Sequence, residues 1–287
     1  MTFARFRALH HADEPLLLPC AWDHASAAAL VRAGFAAVGT TSLGVAAAAG
    51  KPDAGRATRQ ETLRLARTIT RLGVPVTVDI EAGFAEAPER VADLVAELAE
   101  LGVAGINLED GRGDRLADLP AQAELVAVVK RRVPGMFLNA RTDAFWLDLP
   151  DALALALERT RAYEEAGADG VFVPGAGAER DIEALVAGAG VPLNVLVQPG
   201  VPMRRLAELG VARLSYGSLL FRAALGAAVT TALAVARGEP VIGEVPSYEQ
   251  AEALHRYGPR TGDAPAPAHE TGAPEGQGPG GVTRPDS

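Results

Sequence analysis

Two kinds of stretch alternate along most of this chain. Short runs of β-branched and apolar residues are followed by longer Ala/Leu-rich segments whose apolar positions recur at helical spacing. The candidate strands are LLLPCAW (16–22), AAVGTT (36–41), PVTVDI (75–80), GINLED (105–110), MFLNART (136–142), GVFVPG (170–175), PLNVLVQ (192–198) and ARLSYG (212–217). Between them lie helical patterns such as HASAAALVRAGF (24–35), RVADLVAELAELG (90–102) and DALALALERTRAYEEAG (151–167). Several helices end in a repeated tag, RAGFAAV, LGVAGI, AGADGV or LGVARL, with glycine just past the helix and a buried strand next. That is a glycine C-cap leading into an αβ turn.

The strands are nearly continuous apolar runs rather than alternating ones, as parallel strands covered on both faces require. Eight such units, each followed by a helix, predict a (β/α)8 TIM-type barrel over residues 1–257. An open doubly wound sheet is the competing α/β arrangement, but the even spacing offers no switch point for one. From Gly258 to Ser287 the chain turns to Gly, Pro, Ala and small polar residues, which predicts a disordered tail.

Composition narrows the possibilities. The 287 residues are 48% hydrophobic, enough for a large core, and the formal net charge is −9. An acidic chain has no surplus of Lys and Arg to meet phosphates, so a nucleic-acid partner is not expected. One cysteine, Cys20, rules out a disulfide within the chain and fits a reducing cytoplasm. The start of the chain lacks the apolar core of a leader peptide, and no stretch reads as about 20 uninterrupted apolar residues for a membrane span. Cys20 is expected to be a buried small hydrophobe, and the five histidines to be exposed or capping.

In a barrel of this type the site lies at the carboxyl ends of the strands. Polar residues gather there: Thr40, Thr41 and Ser42 after the second strand, Asp79 and Glu81 at the third, and Glu109 and Asp110 at the fourth. Asn139, Arg141 and Asp143 come from the fifth, Asn194 and Gln198 from the seventh, Ser215 and Tyr216 from the eighth. Strand alternation would aim Asp79 and Glu81 at the same place, and like charges need a proton, an arginine or a cation between them. With Glu109 they make an oxygen-rich set suited to a hard divalent ion, Mg²⁺ or Mn²⁺. Structural pairing with Arg141 is the other reading. The planar fork of Arg141 also suits a substrate carboxylate.

The chain resembles the isocitrate lyase/phosphoenolpyruvate mutase superfamily. The likeness is carried in order by CAWDHASAAALVRAGFAAVGTTSLGVAAAAGKPDAG (20–55), PVTVDIEAGF (75–84), VAGINLEDG (103–111), LNARTDAF (138–145), AGADGVFVPG (166–175) and PLNVL (192–196). It implies a (β/α)8 barrel, often with the last helix exchanged between subunits of a homodimer or homotetramer. It also implies that Asp79 ligates Mg²⁺ directly, with Glu81 and Glu109 holding the ion largely through water. Arg141 would bind the substrate carboxylate. Thr41, Ser42, Leu43 and Gly44 would meet the other end of the substrate, and Trp22 would border the pocket. Asp53 would stand near the reacting group, and Asn194 where some members carry histidine.

The resemblance also shows departures. The Cys- and His-bearing loop of the isocitrate-cleaving members is replaced here by LEDGRGDRLADLPAQAEL, and the longer lid of the mutase is missing. The expected activity is therefore a Mg²⁺-dependent lyase or decarboxylase acting on a small 2-oxo acid, or a carboxylate that yields one, through an enolate. The alternatives are P–C bond mutase or hydrolase chemistry on a phosphonopyruvate-like substrate, and a non-catalytic metabolite-binding barrel.

Overall fold

The computed structural model describes residues 2–256, and the expected tail (258–287) lies outside the described residues. Helix α1 (Thr2–Leu9) precedes the first strand, which Pro19 splits into β1 (Leu16–Leu18) and β2 (Cys20–Ala21). There follow α2 (His24–Arg32), β3 (Val38–Thr40), α3 (Ser42–Ala48), α4 (Arg59–Ile69), β4 (Val76–Asp79), α5 (Pro88–Glu100) and β5 (Gly105–Glu109). A small hairpin, β6 (Gly111–Arg112) and β7 (Arg115–Leu116), leads to α6 (Leu119–Arg132) and β8 (Phe137–Arg141). The next units are α7 (Ala152–Glu165), β9 (Gly170–Phe172), α8 (Glu179–Gly188), β10 (Leu193–Leu196), α9 (Met203–Glu208) and β11 (Arg213–Ser215). The long α10 (Leu219–Ala236) and the short α11 (Tyr248–Glu252) follow the last strand.

The barrel closes through the split strand. β1 pairs with β11 on one side and β2 with β3 on the other, both parallel. Proline has no N–H to give to a ladder, so Pro19 marks the point where pairing passes from one neighbour to the other. Around the ring the order is β1-β11-β10-β9-β8-β5-β4-β3-β2, so the hairpin β6–β7 is an insertion between two adjacent barrel strands. All eight predicted strands are present, and the barrel is the predicted one.

Two elements were not foreseen, α1 and the β6–β7 hairpin. α1 caps the amino-terminal mouth with Phe6, which meets the Phe137 ring edge-on at 5.4 Å. His10 follows it and stacks on Phe137 at 4.0 Å. The expectation of an exposed or capping His10 is corrected: the ring is buried, and its Nδ1 lies 2.8 Å from the Phe6 carbonyl. Burial, with Arg213 next, lowers its pKa to about 3. The helix expected after the last strand, α10, leaves the barrel with only Phe221 buried and with Leu225, Val229 and Leu233 exposed at intervals of one helical turn. By length and composition α10 could cross a membrane, which corrects the reading that no stretch is long and apolar enough.

Candidate active site

Above the carboxyl ends of the strands lies a cavity of about 520 Å³. Asp79, Glu109, Arg141 and Asp143 meet on one side of it, all four lining the space. Arg141 is the hub: its Nε donates to Asp143 Oδ1 at 2.6 Å, and its Nη1 lies 3.0 Å from Glu109 Oε2 and 4.0 Å from Asp79 Oδ2. One guanidinium therefore serves three buried carboxylates. Burial raises Glu109 to about 8, an effect that Arg141 only partly offsets and Asp79, Asp143 and Glu81 reinforce. Asp79 rises to about 6 for the same first reason, with Arg141 again opposing and Asp53 and Glu81 adding to the rise. Burial would lower Arg141, but Glu109, Asp143 and Asp79 more than reverse it.

Local structure explains how each group is held. Asp79 ends β4, where its N–H donates to Thr40 Oγ1 at 2.9 Å and its Oδ1 accepts from the Glu81 N–H at 2.9 Å. Glu109 ends β5, in register with Arg141 on β8. Asp143 is steadied from beneath: its N–H donates to Asp110 Oδ1, whose other oxygen accepts from Arg159 and Tyr163. Gly111 lets the β6–β7 hairpin cross this spot, because a Cβ there would run into the Asp143 carboxylate. Arg112 anchors the hairpin by donating to the carbonyls of Glu109 and Gly111 and to Gln122.

Glu81 departs from expectation. The strand stops at Asp79, and Glu81 has φ +51, so the alternation that would aim both carboxylates at one point no longer applies. Its oxygens instead accept from Thr58 Oγ1 at 2.7 Å and from the Arg56 N–H at 3.0 Å, and it does not line the cavity. This carboxylate ties down the loop that carries Asp53, which does line it. Ala54 and Arg56 in that loop, with Glu81 and Phe84 in the next, all have positive φ. Non-glycine residues persist in that region only where bonds such as those to Glu81 over-determine them.

The remaining expected residues divide. Thr41, Ser42 and Leu43 line the cavity at the start of α3, where first-turn N–H groups lack intrahelical acceptors. Gly44 lies behind them: its N–H faces Thr41 Oγ1 at 3.5 Å, and a Cβ would meet Trp22 at 2.7 Å. Trp22 does not reach the cavity wall but packs edge-on against Phe221 at 5.4 Å. Asn194 also stays out of the lining. It is buried within the barrel, without a partner for either amide atom among the described residues, beside Arg213 in the sheet register. Cys20 is buried, lines the cavity floor, and has its pKa raised chiefly by that burial.

Several residues of this region had no role assigned from sequence. Asp143 was visible only as one more polar residue beyond β8, and Trp146 and Leu147 in the loop after it as ordinary apolar positions. Arg213 is fully buried, with Nη2 donating to Asn107 Oδ1 at 3.1 Å and Nε and Nη1 unpartnered among the described residues. Burial brings its pKa down to about 10. The signal in the sequence was an arginine opening an otherwise apolar strand.

The donor set fits a hard divalent ion better than a soft one. The cavity offers carboxylate oxygens from Asp79, Glu109 and Asp53, and among the described residues no three His, Cys, Asp or Glu side chains close into a ready metal cage. Mg²⁺ characteristically takes one or two carboxylates and keeps several waters. Asp79 and Glu109, whose pKa values are raised first of all by burial, are the cavity-lining carboxylates that would hold such an ion.

A parallel barrel with charged groups at its carboxyl-terminal mouth defines the class of (β/α)8 enzymes. Within it, the profile of the phosphoenolpyruvate phosphomutase family matches residues 6–236, and the chain belongs to this family within the isocitrate lyase/phosphoenolpyruvate mutase superfamily. An uncharacterised protein of Mycobacterium tuberculosis is 42% identical over 256 residues, covering 89% of this chain and 98% of that one. The 2,3-dimethylmalate lyase of Eubacterium barkeri is 33% identical over 223 residues, covering 72% of this chain and 76% of the lyase. A phosphonopyruvate hydrolase solved with oxalate and Mg²⁺ superposes with a TM-score of 0.78 at 24% identity, over 89% of this chain and 95% of that one, a likeness of fold. The named relatives support a lyase-like enzyme.

Proposed function

We propose that the chain is a Mg²⁺-dependent carbon–carbon lyase or decarboxylase for a small 2-oxo acid, or a carboxylate that yields one, with Mn²⁺ as the alternative ion. The observation that carries this reading is the shortage of positive charge at Asp79 and Glu109, two buried cavity-lining carboxylates that share Arg141 with Asp143. Mg²⁺ held by Asp79, and by Glu109 largely through water, would supply Lewis-acid polarisation of a substrate carbonyl. Arg141 binds the substrate carboxylate through Nη2, since Asp143 holds its Nε and Glu109 its Nη1. The first-turn N–H groups of Ser42 and Leu43 receive negative charge developing at the far oxygen. Asp53 lines the cavity outside the Arg141 cluster, on the loop fixed by the Glu81 clamp, and is the carboxylate placed to move a proton. Glu81 and Asn194 act from outside the lining, Glu81 by fixing that loop.

The apolar stripe of α10 suits exchange with a second copy of the chain, giving a homodimer or homotetramer. Leu225→Glu combined with Leu233→Glu should release monomer in light scattering, and an unchanged mass would count against exchange through this helix. A free, buried Cys20 suits a reducing cytoplasm. The activity is tested by exchange of pyruvate methyl protons in D₂O, followed by NMR with Mg²⁺ and with chelator. Metal-dependent exchange supports the reading, and none at all points to a non-catalytic barrel. Oxaloacetate and phosphonopyruvate assayed side by side separate C–C from P–C cleavage.

A further inference from the structure

Below the site cavity the barrel interior carries a second polar layer. Leu196 and Ser215 line the cavity, and strand alternation puts Asn194 and Arg213, two residues earlier on the same strands, on the same inward face one step lower. On the same count Asn107 lies below Glu109, Asn139 below Arg141 and Thr77 below Asp79. All five side chains are buried, at a level where a barrel of this type usually packs branched apolar residues. Arg213 reaches from β11 across the interior to β5, where its Nη2 donates to Asn107 Oδ1 at 3.1 Å. The same oxygen also accepts from Asn139 Nδ2 at 3.0 Å.

Free donors outnumber free acceptors in this layer, and its charge is unpaired. Arg213 Nε and Nη1, both amide atoms of Asn194 and Thr77 Oγ1 are buried with no partner among the described residues. A buried polar group without a partner is uncommon in a folded protein, and a buried charge without one is costlier still. Arg213 keeps its proton at neutral pH, since burial lowers its pKa only to about 10. The carboxylates above do not meet that charge: Asp79, Glu109 and Asp143 pair with Arg141, and none forms an ion pair with Arg213 among the described residues. Cys20, whose pKa burial raises, stays a neutral thiol. Water would satisfy the N–H groups and leave the charge standing, whereas an anion answers both.

We propose that Arg213 and Asn194 hold a small monovalent anion of the halide class inside the barrel, through the Arg213 Nε and Nη1 groups and the Asn194 side-chain amide. Size selects for such an ion. Arg213, Asn194 and Thr77 line neither the site cavity nor the second cavity beside the β6–β7 hairpin, and gaps between side chains packed this closely are of atomic dimensions. A carboxylate or phosphate has no room there, and a spherical halide asks only for donors, which the layer has in excess. Asn107 lines the site cavity as well as this layer, which gives the ion its way in. The site stands apart from the reaction proposed above, and its failure would leave that reading as it is.

The test uses bromide, whose anomalous scattering cannot be mistaken for water. Crystals of the full chain grown in sodium bromide, measured at the bromine absorption edge, should show an anomalous peak inside the barrel in contact with Arg213 and Asn194. In solution, the thermal midpoint of the parent should rise with sodium bromide relative to sodium fluoride at equal concentration, because fluoride holds its water too firmly to enter. Arg213→Met removes the charge and keeps most of the bulk, so the bromide advantage should fall by about 4 °C. Asn194→Leu leaves the charge in place and should raise the half-saturating bromide concentration at least tenfold, which keeps the test open if Arg213→Met fails to fold. A map with water or nothing beside Arg213, or a bromide advantage that is the same in the parent and the variants, overturns the inference.

Discussion

The two mouths of this barrel both bury charge, and they treat it in opposite ways. At the amino-terminal mouth Asp169 accepts from Lys130 Nζ at 2.6 Å and from the Leu138 N–H at 2.9 Å, and pairs with Arg7 at 2.6 Å. Every demand of that carboxylate is met by the fold. At the carboxyl-terminal mouth Asp79, Glu109 and Asp143 divide one arginine. Charge satisfied by its neighbours is structural, and charge left wanting is where a ligand can bind tightly. The number of buried carboxylates does not separate the two mouths; their supply of donors does.

Changes at the two mouths should accordingly have different readouts. The largest effect is expected from Asp79→Ala: on the order of 100-fold or more off metal-dependent turnover, with the circular dichroism spectrum intact. Undiminished proton exchange in that variant would place the ion elsewhere. Lys130→Met should do the reverse, lowering stability by about 3 kcal/mol in urea titrations because Asp169 stays buried with less compensation. Its turnover should stay within about twofold of the parent, and a large loss of activity at unchanged stability would break the contrast. Arg141→Lys should raise KM about tenfold, since one ammonium cannot hold Asp143 and Glu109 and still offer a donor to the substrate. An unchanged KM would remove Arg141 from carboxylate binding.

The smallest effects concern pH, and their signs oppose one another. Glu109 is held at about 8 and Asp79 at about 6, above the ordinary 4.5 and 3.8. The folded chain therefore keeps protons that the unfolded chain has released, so this contribution is full below about pH 4 and is lost as pH rises toward 8. Mg²⁺ replaces those protons, so its gain in thermal midpoint should be greater at pH 8 than at pH 5.5. His10, lowered from 6.5 to about 3, works the other way: its contribution is full above 6.5 and is lost as pH falls toward 3. His10→Leu should flatten the acid limb of the melting profile while leaving the Mg²⁺ response alone. Identical pH profiles in the variant and the parent would remove His10 from the account.

Much of the architecture was legible before the coordinates. The apolar runs and glycine-capped helices marked all eight barrel strands, because a parallel strand buried on both faces has little room for polar residues except at its ends. Those same ends disclosed Asp79, Glu109 and Arg141. Glu81 does not point where strand alternation would put it, because alternation holds only while the strand lasts, and this strand stops two residues earlier. Trp22 and Asn194 were placed nearer the cavity than they are, since a position along a strand says nothing of how deep the cavity floor lies. The capping role of α1 and the hairpin β6–β7 went unseen, the first being short and weakly patterned and the second only two residues per strand.

The barrel and the acidic character of its mouth were already written in the order of residues, for both follow from local periodicity and from which residue types end a strand. Folding in three dimensions settled the rest: how many carboxylates compete for Arg141, that these line the cavity while Glu81 does not, and that Trp146 and Phe172 flank the guanidinium. Those facts depend on distances between strands far apart in the chain, and on how much water burial removes from each group. Neither is contained in a local pattern.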